Sequence, residues 1–95
     1  MNEIFILMSK IDTCNDFNQD IISAFATKEL AQKALKDYVK DIKRYSIIKE
    51  YFNDDIITIS NYEEYKDEDD YFSFIEKGYD IIVQVYIEKV FFVNK

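Results

Sequence analysis

Residues 27–42 read TKELAQKALKDYVKDI, and the reading of this stretch decides the architecture. Leu30, Ala31, Ala34, Leu35, Tyr38, Val39 and Ile42 recur at the i, i+1, i+4, i+5 spacing of one helical face. Lys28, Gln32, Lys33, Lys36, Asp37, Lys40, Asp41 and Lys43 fall on the other, which predicts a helix with one buried and one solvated side. Thr27 suits the N-cap, because its hydroxyl can accept a backbone N–H that the first turn leaves without a partner. Glu29 in the first turn, and Lys43 and Arg44 near the far end, complement the helix dipole. A stop at Ser46 is one reading; Ile48 and Phe52 continue the stripe, so continuation through Tyr51 with a bend is preferred.

Upstream, Glu3–Ser9 (EIFILMS) is apolar on both alternating faces, as in a strand inside a sheet. Asp20–Ala26 (DIISAFA) resumes a strand pattern after the polar KIDTCNDFNQ stretch, which predicts a hairpin with a connection of about ten residues. Downstream, Asn53-Asp54-Asp55 signals a turn and Ile56–Tyr62 (IITISNY) a third strand. Tyr71, Phe72 and Ile75 share a helical face, and Gly78 suits a left-handed C′ position, so YFSFIEK is read as a short helix; a strand over Tyr71–Ile75 competes. Tyr79–Val93 alternates as a half-buried strand until VFFV, where the broken alternation predicts a bulge or extra burial. The expected fold is α+β: one domain over residues 1–95, a two-layer sandwich of about four mostly antiparallel strands on one long helix, in the order β-β-α-β-(short α)-β.

Composition narrows the chemistry. The 95 residues contain no histidine, one glycine and one cysteine. Ser–His and Cys–His nucleophile pairs cannot be built, Cys/His zinc sites lack ligands, and glycine-rich phosphate loops are ruled out. A non-enzymatic protein without cofactor is expected. With 12 basic and 19 acidic residues, a net charge of −7 and Arg44 as the one arginine, direct nucleic-acid binding is disfavoured and basic partners favoured. No apolar run reaches membrane-span length and no signal-peptide pattern opens the chain, which predicts a cytoplasmic protein. The Ile, Lys, Asn, Tyr and Phe bias matches AT-rich coding, pointing to an AT-rich bacterial or phage genome.

The most distinctive segment is EEYKDEDD, Glu63–Asp70, where six acids and one lysine put −5 into eight residues. Closely spaced carboxylates can imitate a phosphate backbone and dock on a basic groove, although a solvated loop is the simpler reading. The run has no EF-hand glycine. Asp55 with Glu64-Tyr65-Lys66 imitates the Asp…Glu-x-Lys array of Mg²⁺-dependent nucleases, but beside an acidic run with no basic surface for DNA, so chance is the preferred explanation. Cys14, in a polar loop with no neighbouring cation, is read as incidental. Tyr62, Tyr65 and Tyr71, interleaved with the acids, are expected to remain partly exposed as contact residues.

On IFILMS, ISAFATKELAQKALKDY and Glu63–Asp70, the chain resembles in style the small acidic accessory proteins of phages and mobile elements, anti-CRISPR and other anti-defence inhibitors among them. The resemblance implies an inhibitor that occupies a basic surface of a nucleic-acid-handling protein in a bacterial host. The expected contact residues are Tyr62, Glu63, Glu64, Tyr65, Asp67, Glu68, Asp69, Asp70 and Tyr71. The alternatives are an oligomeric binder of nucleotide second messengers, with a cationic pocket at Lys40, Lys43 and Arg44, and a structural or regulatory homodimer.

Overall fold

In the computed structural model, which describes residues 2–13 and 16–92, Lys28–Tyr45 forms the long helix, α1. The Thr27 hydroxyl accepts the Leu30 N–H at 3.3 Å, so the cap forms as its chemistry predicts. The helix does not continue through Tyr51. Ser46 turns extended, and both its N–H and its hydroxyl donate to the Ile42 carbonyl, closing the last turn. The Ser46 oxygen then accepts the Ile48 N–H at 3.3 Å, and a 3₁₀ turn follows at Lys49–Tyr51. The sharp exit drops Ile48 into the core, where it is fully buried.

Ala31, Leu35, Val39 and Ile42 are buried on α1 as expected. Two side chains change places. Leu30 is 53 % exposed, whereas Lys43, assigned to the solvated face, is 4 % exposed.

Strands β1 (Asn2–Thr13) and β2 (Asp16–Phe25) precede the helix. The stretch expected to be a long loop is strand on both sides, because Lys10–Thr13 and Asp16–Gln19 pair residue by residue. Cys14 lies outside the described residues. After the 3₁₀ turn, β3 (Phe52–Asn53) and β4 (Ile56–Ile57) form a separate two-residue ladder around a turn in which Asp54 takes a φ of 55°. The strand expected over Ile56–Tyr62 is therefore split. Its end, Tyr62, begins β5 (Tyr62–Asp67).

Residues Tyr71–Glu76 form strand β6, not a short helix. Phe72 and Phe74 point to the helix side and are fully buried there, and period-two packing of two phenylalanines outweighs a helical reading in so short a segment. Gly78 does take a positive φ, 92°, but it turns a β-hairpin rather than ending a helix. The chain then enters β7 (Ile81–Phe92). All pairings are antiparallel, and the main sheet has five strands, one more than expected, in the order β2-β1-β7-β6-β5. The β1–β7 register is unbroken from Asn2↔Phe92 to Thr13↔Ile81, so no bulge falls within the described part of VFFV; Val93 lies outside it. The irregularities sit instead at Ile22 in β2 and Glu63 in β5.

Alternation assigns the two faces. Leu7, Phe72, Phe74, Val83 and Val85 meet Leu35, Val39, Ile42, Ile48 and Phe52 in one core. Burying a phenylalanine such as Phe74 contributes about 2–3 kcal/mol. The opposite face carries Ile4, Ile6, Met8, Ile75, Ile82 and Tyr86, none of which is buried. Among the described residues no helix is long and apolar enough to cross a membrane.

Candidate functional site: the acidic edge strand and its turn

The acidic run is not a loop. Its first half is the edge strand β5 and its second half is the turn into β6, closed by the Glu68 N–H donating to the Tyr71 carbonyl at 2.8 Å. Strand alternation then sorts the expected contact residues onto different surfaces.

Tyr62, Tyr65 and Asp67 turn toward the helix. The Tyr65 ring meets Tyr62, Phe52 and Phe72 at centroid distances of 5.9, 5.8 and 6.1 Å, and both tyrosines pack against the core while staying partly exposed. Asp67 accepts a 2.6 Å hydrogen bond from the Lys43 ammonium. Lys43 is enclosed: its Nζ also donates to the Asp55 carbonyl at 3.2 Å, and it lies 5.4–5.8 Å from the centroids of Phe52, Tyr65 and Phe72. Burial is the largest influence on this amine and favours its neutral form. The Asp67 hydrogen bond and charge, reinforced by Tyr65, outweigh it and hold the Lys43 pKa above the ordinary lysine value. The ring faces add their own attraction for the cation. Burial also pushes the Tyr65 phenol up, against the opposing pull of Lys43.

Glu64 and Tyr71 turn the other way, to the uncovered face of the sheet. Glu64 accepts the Ser73 hydroxyl and lies 3.8 Å from Lys66, while Tyr71 accepts from Gln84 Nε2 at 3.2 Å. Glu63, at the bulge, lies 3.8 Å from Lys77. Asp69 is paired with Lys36 at 2.9 Å, which holds the carboxyl below its usual range and raises the lysine. Glu68 and Asp70 are exposed and have no side-chain partner among the described residues.

The nine residues therefore do not form one patch. Glu68, Asp69 and Asp70 cluster on the turn, with Glu63 along the same edge. Tyr65 and Asp67 hold the strand to the helix through Lys43, Tyr62 packs beside Tyr65 and Phe74, and Glu64 and Tyr71 lie on the far face. The buried Lys43 had a legible signal, since it follows Leu35 and Val39 at steps of four and so extends the buried stripe by one turn.

The cationic pocket expected at Lys40, Lys43 and Arg44 does not assemble. Lys43 is held by Asp67, Arg44 Nη2 lies 3.5 Å from Asp55 Oδ2, and Lys40 stays exposed. Beside them is an open cleft of about 200 Å³, lined by Lys36, Lys40 and Lys43 but also by Asp55, Asp67 and Asp69. Its mixed charge and its size below the usual ligand-pocket range do not suit a nucleotide. The nuclease-like residues do not converge either: Asp55 sits on the helix side, whereas Glu64 and Lys66 pair with Ile75 and Ser73 on the opposite face. Among the described residues no group of three metal-ligating side chains comes together.

Comparison with known proteins finds no matching family model, and no significant match to a curated protein or to a solved structure, so the functional reading rests on the residues themselves.

Proposed function

We propose that this chain is a small acidic, non-enzymatic binding protein whose β5–β6 turn docks on a basic surface of another protein. The observation that supports the reading is three consecutive exposed carboxylates, Glu68, Asp69 and Asp70, carried on a turn whose base is pinned by the Lys43–Asp67 pair. A turn held at its base by the Lys43–Asp67 pair and the Glu68–Tyr71 backbone bond has less to order on association, and carboxylates at adjacent positions compete with phosphates for the same lysines and arginines. The contact set is Glu63, Glu68, Asp69 and Asp70, with Tyr71 and Glu64 able to contribute at the flank. Asp67, Tyr62 and Tyr65 act as its support.

The partner that fits is a nucleic-acid-handling protein, whose binding groove is basic by necessity. Occupying that groove would make the chain an inhibitor, in keeping with its likeness to phage anti-defence and anti-CRISPR proteins acting in the bacterial cytoplasm. The test compares the wild-type chain with the triple variant Glu68→Lys/Asp69→Lys/Asp70→Lys in pull-downs from nuclease-treated bacterial lysate. Wild type should retain a basic nucleic-acid-binding protein that elutes with rising salt, and the folded variant should lose it. Equal retention by the two proteins would sink the reading.

A further inference from the structure

The sheet has two faces, and only one is covered. The uncovered face is lined by Ile4, Ile6, Met8, Ile75, Ile82 and Tyr86, with Ile21 of β2 beside them at 67 % exposure. From these observations we infer that this face is the contact surface for a second copy of the chain, packed sheet against sheet about a two-fold axis. The inference does not rest on the carboxylates of the β5–β6 turn, although Glu64 and Tyr71 belong to this face.

Extent is the first argument. Strands of 12, 10, 6, 6 and 12 residues, at about 3.3 Å per residue and about 4.8 Å apart, give the face an area of roughly 700 Å². Stable dimers bury about 800 Å² on each partner, so the face is of the right size with no further element recruited.

Charge is the second. The chain carries −7 in all. The charges that alternation places on this face are Lys10 and Lys66 against Asp12, Glu64 and Glu88, a net of −1. Self-repulsion is thus concentrated on the other surfaces, and a second copy meets little of it here. Met8 pairs with Tyr86 near the middle of the two long strands, with Lys10 on one side of that level and Glu88, opposite Ile6, on the other. A two-fold axis crossing the strands at Met8 and Tyr86 brings the Lys10 end of one copy over the Glu88 end of its partner, one strand apart. Opposite charges then meet twice, once on each side of the axis.

Polar satisfaction is the third. Gln19 Nε2 donates to Tyr86 Oη at 3.1 Å, Gln84 Nε2 to Tyr71 Oη at 3.2 Å, and Ser73 to Glu64. These bonds lie within the sheet, so covering the face leaves them intact. Pairing through the free edge of β2 is the less suitable route, because the extra residue at Ile22 breaks its ladder and Asp16 and Asp20 lie along it.

Sedimentation velocity of the full chain from low to high micromolar concentration tests the inference, with circular dichroism and thermal melting as checks on folding. Wild type should sediment at twice the 11.4 kDa chain mass. Ile6→Lys, a change on the uncovered face, should raise the dimer dissociation constant about tenfold or more while the chain stays folded. Because a face variant can also fail to fold, a charge exchange provides the second test: Lys10→Glu should weaken the dimer and Lys10→Glu/Glu88→Lys should restore it. A wild-type monomer over the whole range overturns the inference and leaves the face to a different partner. A dimer indifferent to both Ile6→Lys and Lys10→Glu overturns it as well, and directs attention to the β2 edge.

Discussion

Lys43 and Asp67, 24 residues apart in sequence, meet at 2.6 Å and join the helix to the edge strand of the sheet. The lysine is 4 % exposed and the aspartate 41 %, so the pair is half in and half out of solvent. Lys43→Ala removes the cation from three ring faces and leaves a void, and should cost about 2–3 kcal/mol, below the range for fully buried pairs because water reaches Asp67. Lys43→Met refills the void and should cost less than the alanine variant. Asp67→Asn, which leaves the ammonium enclosed without its counter-charge, should cost about 1–2 kcal/mol. Urea denaturation of the three variants checks the order, and a Lys43→Met protein less stable than Lys43→Ala would contradict this account.

Alkaline pH should weaken the fold. The Tyr51 phenol donates to the Glu76 carboxylate, and that hydrogen bond, then burial, then the negative charges of Glu76 and Glu50, push its pKa up to about 12. A group whose pKa is raised on folding contributes stability that is complete below its unfolded value, near 10 for tyrosine. The contribution fades as pH climbs through the folded value. Lys43 acts in the same direction. The urea midpoint should therefore hold through neutral pH and fall between about pH 10 and 12, and Tyr51→Phe should flatten part of that fall.

The hairpin between β6 and β7 contains two successive positive φ angles, 92° at Gly78 and 64° at Tyr79. A Cβ built on Gly78 meets nothing within 4 Å, so Gly78→Ala should lose only the conformational term, about 1 kcal/mol. Tyr79, 60 % exposed, bears that strain already. Tyr79→Asn or Tyr79→Gly should raise the melting temperature, and a fall in both would show that the tyrosine ring makes a contact worth more than the strain.

Phe74 ties the two layers together through ring contacts to Tyr51, Phe52 and Tyr62 at 5.4, 5.8 and 6.5 Å. Phe74→Ala should cost about 3–5 kcal/mol. In a domain of this size that is a large share of total stability, so the variant should melt broadly or remain unfolded in the cold.

The helix was legible because sixteen consecutive residues repeat one pattern and its cap is a local interaction. The α+β class followed from it. What escaped was decided by partners distant in sequence. Lys10–Thr13 and Asp16–Gln19 look like loop by composition, yet they are strand because β7 supplies β1 with a long ladder to extend along. Phe72 and Phe74 fit either a helix or a strand over six residues, and only the aromatic layer under α1 selects the strand. By composition Asp67 belongs with its acidic neighbours, yet strand alternation turns it toward Lys43 while Glu68 and Asp70 remain in solvent. The charge of the run was visible in the sequence; its division between support and surface required the fold.

The two long central strands come from opposite ends of the described chain: β1 is made first, β7 last, and they lie side by side with β2 and β6 flanking them. On the ribosome, β1, β2 and α1 emerge without the strand that completes their sheet, and apolar side chains on β1 wait for Ile81–Phe92 to be synthesised. Folding of this domain is therefore closed by one late, long-range pairing of the kind that slows the search for the native state. A ribosome stalled before residue 81 would hold a chain in which β1 lacks its β7 ladder and Leu7 lacks the Val83 and Val85 side of its core, a natural substrate for chaperones and proteases.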